Sequence, residues 1–142
     1  MSAKPFIVGG VLLFSIGGYA LAAVPCAPGA RMSSTQISTL VVGNYTCVGT
    51  FPNATWNELL SGGTITDYKL GPSSVTDPSQ VLGTYTIGGQ DNNDPGGTVT
   101  YSYSGGGSFA WFIDVNHTGN VYTFCPTGGG SNLAVNVQPA HC

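Results

Sequence analysis

The stretch Thr98–Cys125, TVTYSYSGGGSFAWFIDVNHTGNVYTFC, constrains this chain most. It reads as three consecutive strands with two tight connections. In Thr98–Tyr103, Val99, Tyr101 and Tyr103 fall on one face and Thr98, Thr100 and Ser102 on the other, the period of two of a half-buried strand. Gly105-Gly106-Gly107 follows, and glycine supplies the positive φ that a hairpin connection needs. Ser108–Val115 then places Phe109, Trp111, Ile113 and Val115 on one face. Asn116-His117-Thr118-Gly119 is turn-forming, and Asn120–Cys125 is the third strand. A large aromatic buries roughly 150–250 Å², so this stretch is expected to supply the main core. It ends on a cysteine, where a covalent tie to another part of the chain can form.

The N-terminus sets the expected compartment. Residues 1–23 read as a secretory signal: Lys4, an apolar run from Phe6 to about Leu21, and small-residue cleavage sites after Ala22 or Ala23. A retained membrane anchor fits less well. The run is short for a span of ~20 residues and contains Gly9, Gly10, Gly17 and Gly18. A lipoprotein signal is disfavoured because Pro25 directly precedes Cys26, and a prepilin signal because no glutamate sits early in the run. Residues 24–32 form a Pro/Ala/Gly leader, and 33–142 are long enough for a single domain with one core.

After signal removal, Arg31 and Lys69 stand against six acidic side chains: Glu58, Asp67, Asp77, Asp91, Asp94 and Asp114. With no basic patch, nucleic acid is excluded as a partner. Charged residues make up 6% of the chain, against about 25% in ordinary domains. A Thr/Ser/Asn/Gly surface of this kind suits an extracellular protein, or a subunit that packs against copies of itself.

The chain has four cysteines, which in a secreted protein imply two disulfides with three possible connectivities. Cys47–Cys125 and Cys26–Cys142 are preferred. The first pair lies in expected strands; the second lies near the two mature termini, which often approach each other in a domain. Zinc is set aside because there is no C-x₂-C spacing, and no cofactor is expected.

Along the rest of the chain, Ser33–Val42 is the expected helix. Ser33 and Gln36 form a capping-box pair, Ile37, Leu40 and Val41 share a face, and Gly43 is placed to end it. Asn44–Thr50 is the first strand. Trp56–Leu60 and Thr64–Leu70 are read as a hairpin across Ser61-Gly62-Gly63, in preference to a helical turn capped by Thr55 and Glu58. Val81–Gly88 and Asn132–Val137 complete about eight short strands. Their spacing and short connections imply a mainly β fold, an antiparallel meander closed into a barrel or folded as a sandwich. A Cys47–Cys125 bond would force such closure, because bonded cysteines need Cα atoms within about 7 Å.

Leu40–Cys47 (LVVGNYTC), Trp56-x-Glu58 and Gly62-Gly63-x-Ile65-x-Asp67-Tyr68-Lys69-x-Gly71 together resemble a loose group of small secreted bacterial proteins. That group carries a helix, L-x-G-N-T-x-C, a tryptophan and G-G-x-L-x-D-Y-K, then G-x-W/Y and Y-x-F-C strands, here Gly83–Tyr85 and Tyr122–Cys125. The match covers most of the mature chain and departs at Tyr45, inserted between Asn44 and Thr46. The resemblance implies fold and compartment, and no activity. The design is also similar to small periplasmic lysozyme-inhibitor barrels and lipocalin-like binders, an analogy of fold that does not give function.

Chemistry-bearing residues are few. His117 and His141 are the chain's two histidines, and neither stands near a nucleophile-elbow motif of a serine hydrolase. A glycosidase pair would have to come from Glu58, Asp67, Asp77 or Asp114, held about 5–9 Å apart. Asp91-Asn92-Asn93-Asp94 fails as an EF-hand loop, since Pro95 occupies the fifth ligand position, and reads as an Asx turn. Asn44, Asn53 and Asn116 head glycosylation sequons, which arise by chance in an Asn/Thr-rich chain. Trp56, Glu58, Asp67, Tyr68 and Lys69 are the candidate ligand-binding residues, with aromatic rings beside a few polar groups as binding pockets require. Trp111 is expected in the core. The expected working surface is this stretch or an exposed strand edge. The first functional expectation is a secreted or periplasmic non-enzymatic β domain that binds a protein or small ligand, an inhibitor being one form. The alternative is a structural subunit of an extracellular filament or surface assembly. No membrane contact is expected once the signal is removed.

Overall fold

In a computed structural model, residues 23–49, 54–68, 80–89 and 96–142 are described. The expected signal, apart from Ala23, lies outside these residues, as do Lys69, the loop at 71–79 and the acidic turn at 91–94. The chain runs through a 3₁₀ turn (Pro28–Ala30) and helix α1 (Ser34–Val41) into eight strands. These are β1 (Tyr45–Val48), β2 (Trp56–Ser61), β3 (Thr64–Asp67), β4 (Gln80–Gly88), β5 (Thr98–Tyr103), β6 (Ser108–Thr118), β7 (Val121–Pro126) and β8 (Leu133–Gln138). Each pairs antiparallel with the next, and β8 pairs with β1, so the meander closes into a barrel. Closure gives every strand of the barrel a neighbouring strand on each side.

The hairpin signals act as glycine chemistry requires. Gly62 and Gly63 take φ 58° and 83° in the β2–β3 turn, and Gly106 and Gly107 take φ 102° and 99° between β5 and β6. The turn after β6 is displaced from the expected Asn116–Gly119. A register shift between Ile113 and His117 lets β6 run on to Thr118, so the chain reverses at Gly119 and Asn120. Alternation then fills the interior. Leu60, Ile65, Val99, Tyr101, Ile113, Phe124 and Val135 are fully buried and form one cluster with Ile37 and Val41 of α1.

Helix α1 closes one end of the barrel. The Ser33 hydroxyl accepts from the Gln36 N–H at 3.3 Å, and the Gln36 side chain accepts from the Ser33 N–H at 2.8 Å, the capping box that the sequence predicts. Gly43, at φ 80°, ends the helix and donates its N–H to the Leu60 carbonyl at 2.7 Å. The entry to β5 packs against the start of α1. A Cβ on Gly97 would sit 2.3 Å from the Ser34 nitrogen, so only glycine permits this approach. Leu60 lies next to the last residue of β2, Gly97 directly precedes β5, and Gly43 lies just before β1, so these contacts lie at the same end.

The disulfides correct the expected connectivity. Cys26 is bonded to Cys125 and Cys47 to Cys142, with Cα separations of 6.3 Å and 5.8 Å. A Cys47–Cys125 bond is excluded by strand order. β8 lies between β1 and β7, and two strand spacings are about 9–10 Å, beyond the reach of a disulfide. Nor are Cys26 and Cys142 joined to each other; each is fastened to a barrel strand. The leader runs along β6, where the Met32 N–H donates to the Ile113 carbonyl at 2.8 Å and the Arg31 backbone forms an isolated antiparallel β-bridge with that of Asp114. The Arg31 guanidinium lies 3.6 Å from the centre of the Phe112 ring. Asp114 accepts from the Cys26 and Asn116 backbone N–H groups. Burial pushes its carboxyl up, but these bonds outweigh that and hold it below its usual range. The C-terminus turns back over β2, where the Cys142 N–H donates to Asn57 Oδ1 at 3.3 Å.

Peptide mapping without reduction is expected to recover the pairs Cys26–Cys125 and Cys47–Cys142. Replacing Cys47 and Cys142 together by serine opens a long loop and is expected to cost about 2–4 kcal/mol in urea unfolding. Recovery of a Cys47–Cys125 peptide would contradict the strand order.

Candidate functional site

With α1 across one end, no described element covers the opposite end. It is formed by the starts of β2, β4 and β6 and the ends of β3 and β5. A cavity of about 390 Å³ opens there, lined by Thr55, Trp56, Glu58, Asp67, Leu82, Tyr103, Phe109 and Trp111. A second hollow of about 300 Å³ continues along the rim past Phe109 and Trp111 to Pro126 and Gly128.

Strand register explains why these side chains converge. Glu58 is directly opposite Asp67 across β2 and β3, and opposite Thr46 across β1 and β2. Directly opposed residues project from the same face of a sheet, so both carboxylates share the inward face with Thr46, Leu60 and Ile65. Both are buried, Glu58 at 4% and Asp67 at 7% exposure. On β5 the alternation that buries Val99 and Tyr101 carries Tyr103 to the mouth. Its phenol O–H donates to the Glu58 carboxylate, 3.1 Å from Oε1 and 3.2 Å from Oε2. Gly83 on β4 stands opposite Tyr103. A Cβ there would lie 2.0 Å from the Ser102 carbonyl oxygen, so glycine lets β4 and β5 close up behind the phenol.

The aromatic rings form a continuous lining. Trp56 meets Trp111 edge to face at 5.9 Å and Tyr101 at 5.5 Å, and Tyr103 meets Phe109 at 6.1 Å. Phe109 is 52% exposed at the rim. Burial, then the Glu58 charge and its hydrogen bond, push the Tyr103 phenol well above its ordinary value. Burial does the same to Tyr101, although contact with Thr46 pulls the other way. The Tyr101 hydroxyl is buried beside Thr46 without hydrogen-bond geometry to a described partner. Trp111 Nε1 is also buried, and it has no hydrogen-bond partner among the described residues. The mouth thus combines apolar ring faces, the carboxyl groups of Glu58 and Asp67, a phenol held in its protonated form and an indole N–H with no partner among the described residues.

The structure divides the residues expected to bind a ligand. Trp56, Glu58 and Asp67 come together in the mouth. Tyr68, one residue beyond Asp67, is on the outer face. Its ring packs against Tyr45 and His141, with centroids 5.3 Å and 4.8 Å away. Lys69 lies outside the described residues. Tyr103 and Phe109 join the site although neither was singled out for it. The signal for Tyr103 was its place on the Val99/Tyr101 face, but alternation does not say which residue on that face reaches the open end. Trp111 is in the core as expected and lines the mouth as well. His117 is in the exposed part of β6 and stacks on Tyr122 at 4.4 Å, away from the mouth.

Comparisons of the chain with protein-family models, curated proteins and solved structures find no match.

The raised phenols predict an alkaline weakness. Their ordinary value is 10.0; the unfolded chain releases these protons near it, and the folded barrel only at higher pH. Above that value the folded state holds more protons than the unfolded one, so stability falls as pH rises. Urea unfolding from about pH 8 to about pH 11 is expected to show this loss. Tyr103→Phe is expected to make the slope shallower and to cost about 1–3 kcal/mol at neutral pH, because Glu58 loses a hydrogen bond. An unchanged slope in that variant would contradict the placement of the phenol.

Proposed function

We propose that this protein is a secreted or periplasmic, non-enzymatic binding barrel that takes a small ligand at its open mouth. The observation that carries this reading is the aromatic- and carboxylate-lined cavity opposite the helix-covered end. Ligand sites are typically concave and mostly apolar, with a few convergent polar groups. The two disulfides fit an oxidising compartment, and the N-terminal apolar run supports export. Resemblance to the small secreted bacterial group points the same way for compartment.

A structural subunit of a filament or surface coat is the second reading, favoured by the low charge. Closure of the sheet weighs against strand-to-strand assembly, since unpaired edges are what such assembly uses. A protein partner, as for an inhibitor, would have to insert a side chain into the same mouth.

A two-dimensional NMR screen of the mature protein against a library of small, water-soluble compounds separates these readings. Hits are expected to shift the amides of Trp56, Glu58, Asp67, Tyr103 and Trp111 while the protein remains monomeric. Concentration-dependent assembly with no hit at the mouth would overturn the binding reading and favour the structural one.

A further inference from the structure

The surroundings of the two disulfides differ. Cys26 is locked into the leader. Its N–H donates to the Asp114 carboxylate, its carbonyl accepts from Arg31 Nε at 2.7 Å, and nearby the Met32 N–H donates to the Ile113 carbonyl. Its partner Cys125 stands within β7, opposite Phe112 of β6, and both cysteines are buried. These bonds hold the leader in place independently of the disulfide.

The Cys47–Cys142 bond joins β1 to residues 139–142, which follow the end of β8 at Gln138. Cys47 is buried, but Cys142 is half-buried and residues 139–141 are exposed. Side-chain contacts hold this segment beside the disulfide. The Cys142 N–H donates to Asn57 Oδ1 at 3.3 Å, and Gln138 Nε2 donates to the Ala140 and His141 carbonyls at 3.0 Å and 2.7 Å. The His141 ring packs on Tyr45 and Tyr68, with centroids 4.5 Å and 4.8 Å away, and its Nε2 lies 3.4 Å from the Tyr45 hydroxyl. Exposed segments held by a few such contacts open locally at far lower free energy than a closed sheet. The β1–β8 pairing reaches only to Gln138, so the seam stays closed when the segment lifts. Thiol–disulfide exchange depends on access to the attacked sulfur, and this opening grants it to one of the two bonds.

We infer that Cys47–Cys142 is a thiol-exchange site, a reversible latch on the outer wall that a dithiol opens while the barrel stays folded and Cys26–Cys125 stays bonded. A thiolate of the dithiol attacks Cys142 Sγ, the bond to Cys47 Sγ breaks, and Cys47 leaves as a thiolate that takes up a proton. The second sulfur of the dithiol then attacks the first, which releases Cys142 as a thiol and leaves the dithiol oxidised to a disulfide. Two electrons and two protons pass to the protein. Release of Cys142 frees His141 and uncovers the Tyr45 and Tyr68 rings, which stand 5.3 Å apart on the outer face. The redox state of this bond thereby sets what that face presents.

The test treats the mature, folded protein with graded dithiothreitol, traps free thiols with iodoacetamide and maps them by mass spectrometry. Cys47 and Cys142 are expected to be alkylated together, at least about tenfold faster than Cys26 and Cys125. In two-dimensional NMR of that reduced form, resonances of Tyr45, Tyr68 and His141 are expected to move while the amides of β5–β7 stay protected from exchange. His141→Ala changes an exposed side chain outside the core. It removes the ring packing and is expected to speed reduction of Cys47–Cys142 roughly threefold, with the Cys26–Cys125 rate unchanged. Loss of Cys26–Cys125 first would overturn the inference. So would loss of both bonds only as the barrel unfolds, or resistance of both under native conditions. An unchanged rate in His141→Ala would overturn the ring cluster as the contact that keeps the latch shut.

Discussion

Everything else in this structure depends on the pairing of β1 with β8. Tyr45, Thr46 and Cys47 stand opposite Gln138, Val137 and Asn136, and this short seam turns a meander of eight strands into a closed barrel. Without it, β1 and β8 would be free edges and the inward faces of Thr46 and Val137 would lose their cover. Thr46 is fully buried, and its hydroxyl donates to the Glu58 carbonyl at 3.2 Å. The seam therefore also fixes the strand that presents the mouth's glutamate. The two disulfides act on either side of it: one ties the C-terminus to β1, and the other ties the leader to β7.

The asymmetry of the two ends follows from chain order. The leader and α1 precede β1, so they reach the end where β1 begins, and the capped helix puts Ile37 and Val41 into the barrel there. The interior at that end is consequently apolar. At the other end, β2, β3, β5 and β6 carry Trp56, Glu58, Asp67, Tyr103, Phe109 and Trp111 in their inward rows. Polar groups in the interior are thus concentrated where the barrel opens. This arrangement underlies the proposal of a ligand at the mouth.

Local signals were legible in the sequence because local chemistry determines them. Ser33 and Gln36 cap α1, Gly62-Gly63 turns the β2–β3 hairpin, and Thr98–Cys125 provides β5, β6 and most of β7. Barrel closure was also anticipated, but through a covalent bond that does not form. Cys47 and Cys125 are both in strands, yet sequence spacing carries no count of the strands lying between them in space. The candidate site was partly legible for a similar reason. Trp56, Glu58 and Asp67 alternate onto one face of a recognisable hairpin, whereas Tyr68 alternates to the other. Grouping Tyr68 with them followed adjacency in sequence, which in a strand separates side chains. Tyr103 and Trp111 were placed on inward faces, but their nearness to the open end depends on which end α1 covers, a tertiary fact.

Amide hydrogen exchange across the β1–β8 seam tests closure of the barrel most directly. If the seam closes the sheet, the bonded amides of Tyr45–Cys47 and Asn136–Gln138 should exchange as slowly as those of β5–β7, only through global unfolding. Rapid exchange at the seam, with β2–β7 still protected, would show an open sheet with two free edges and would contradict the account.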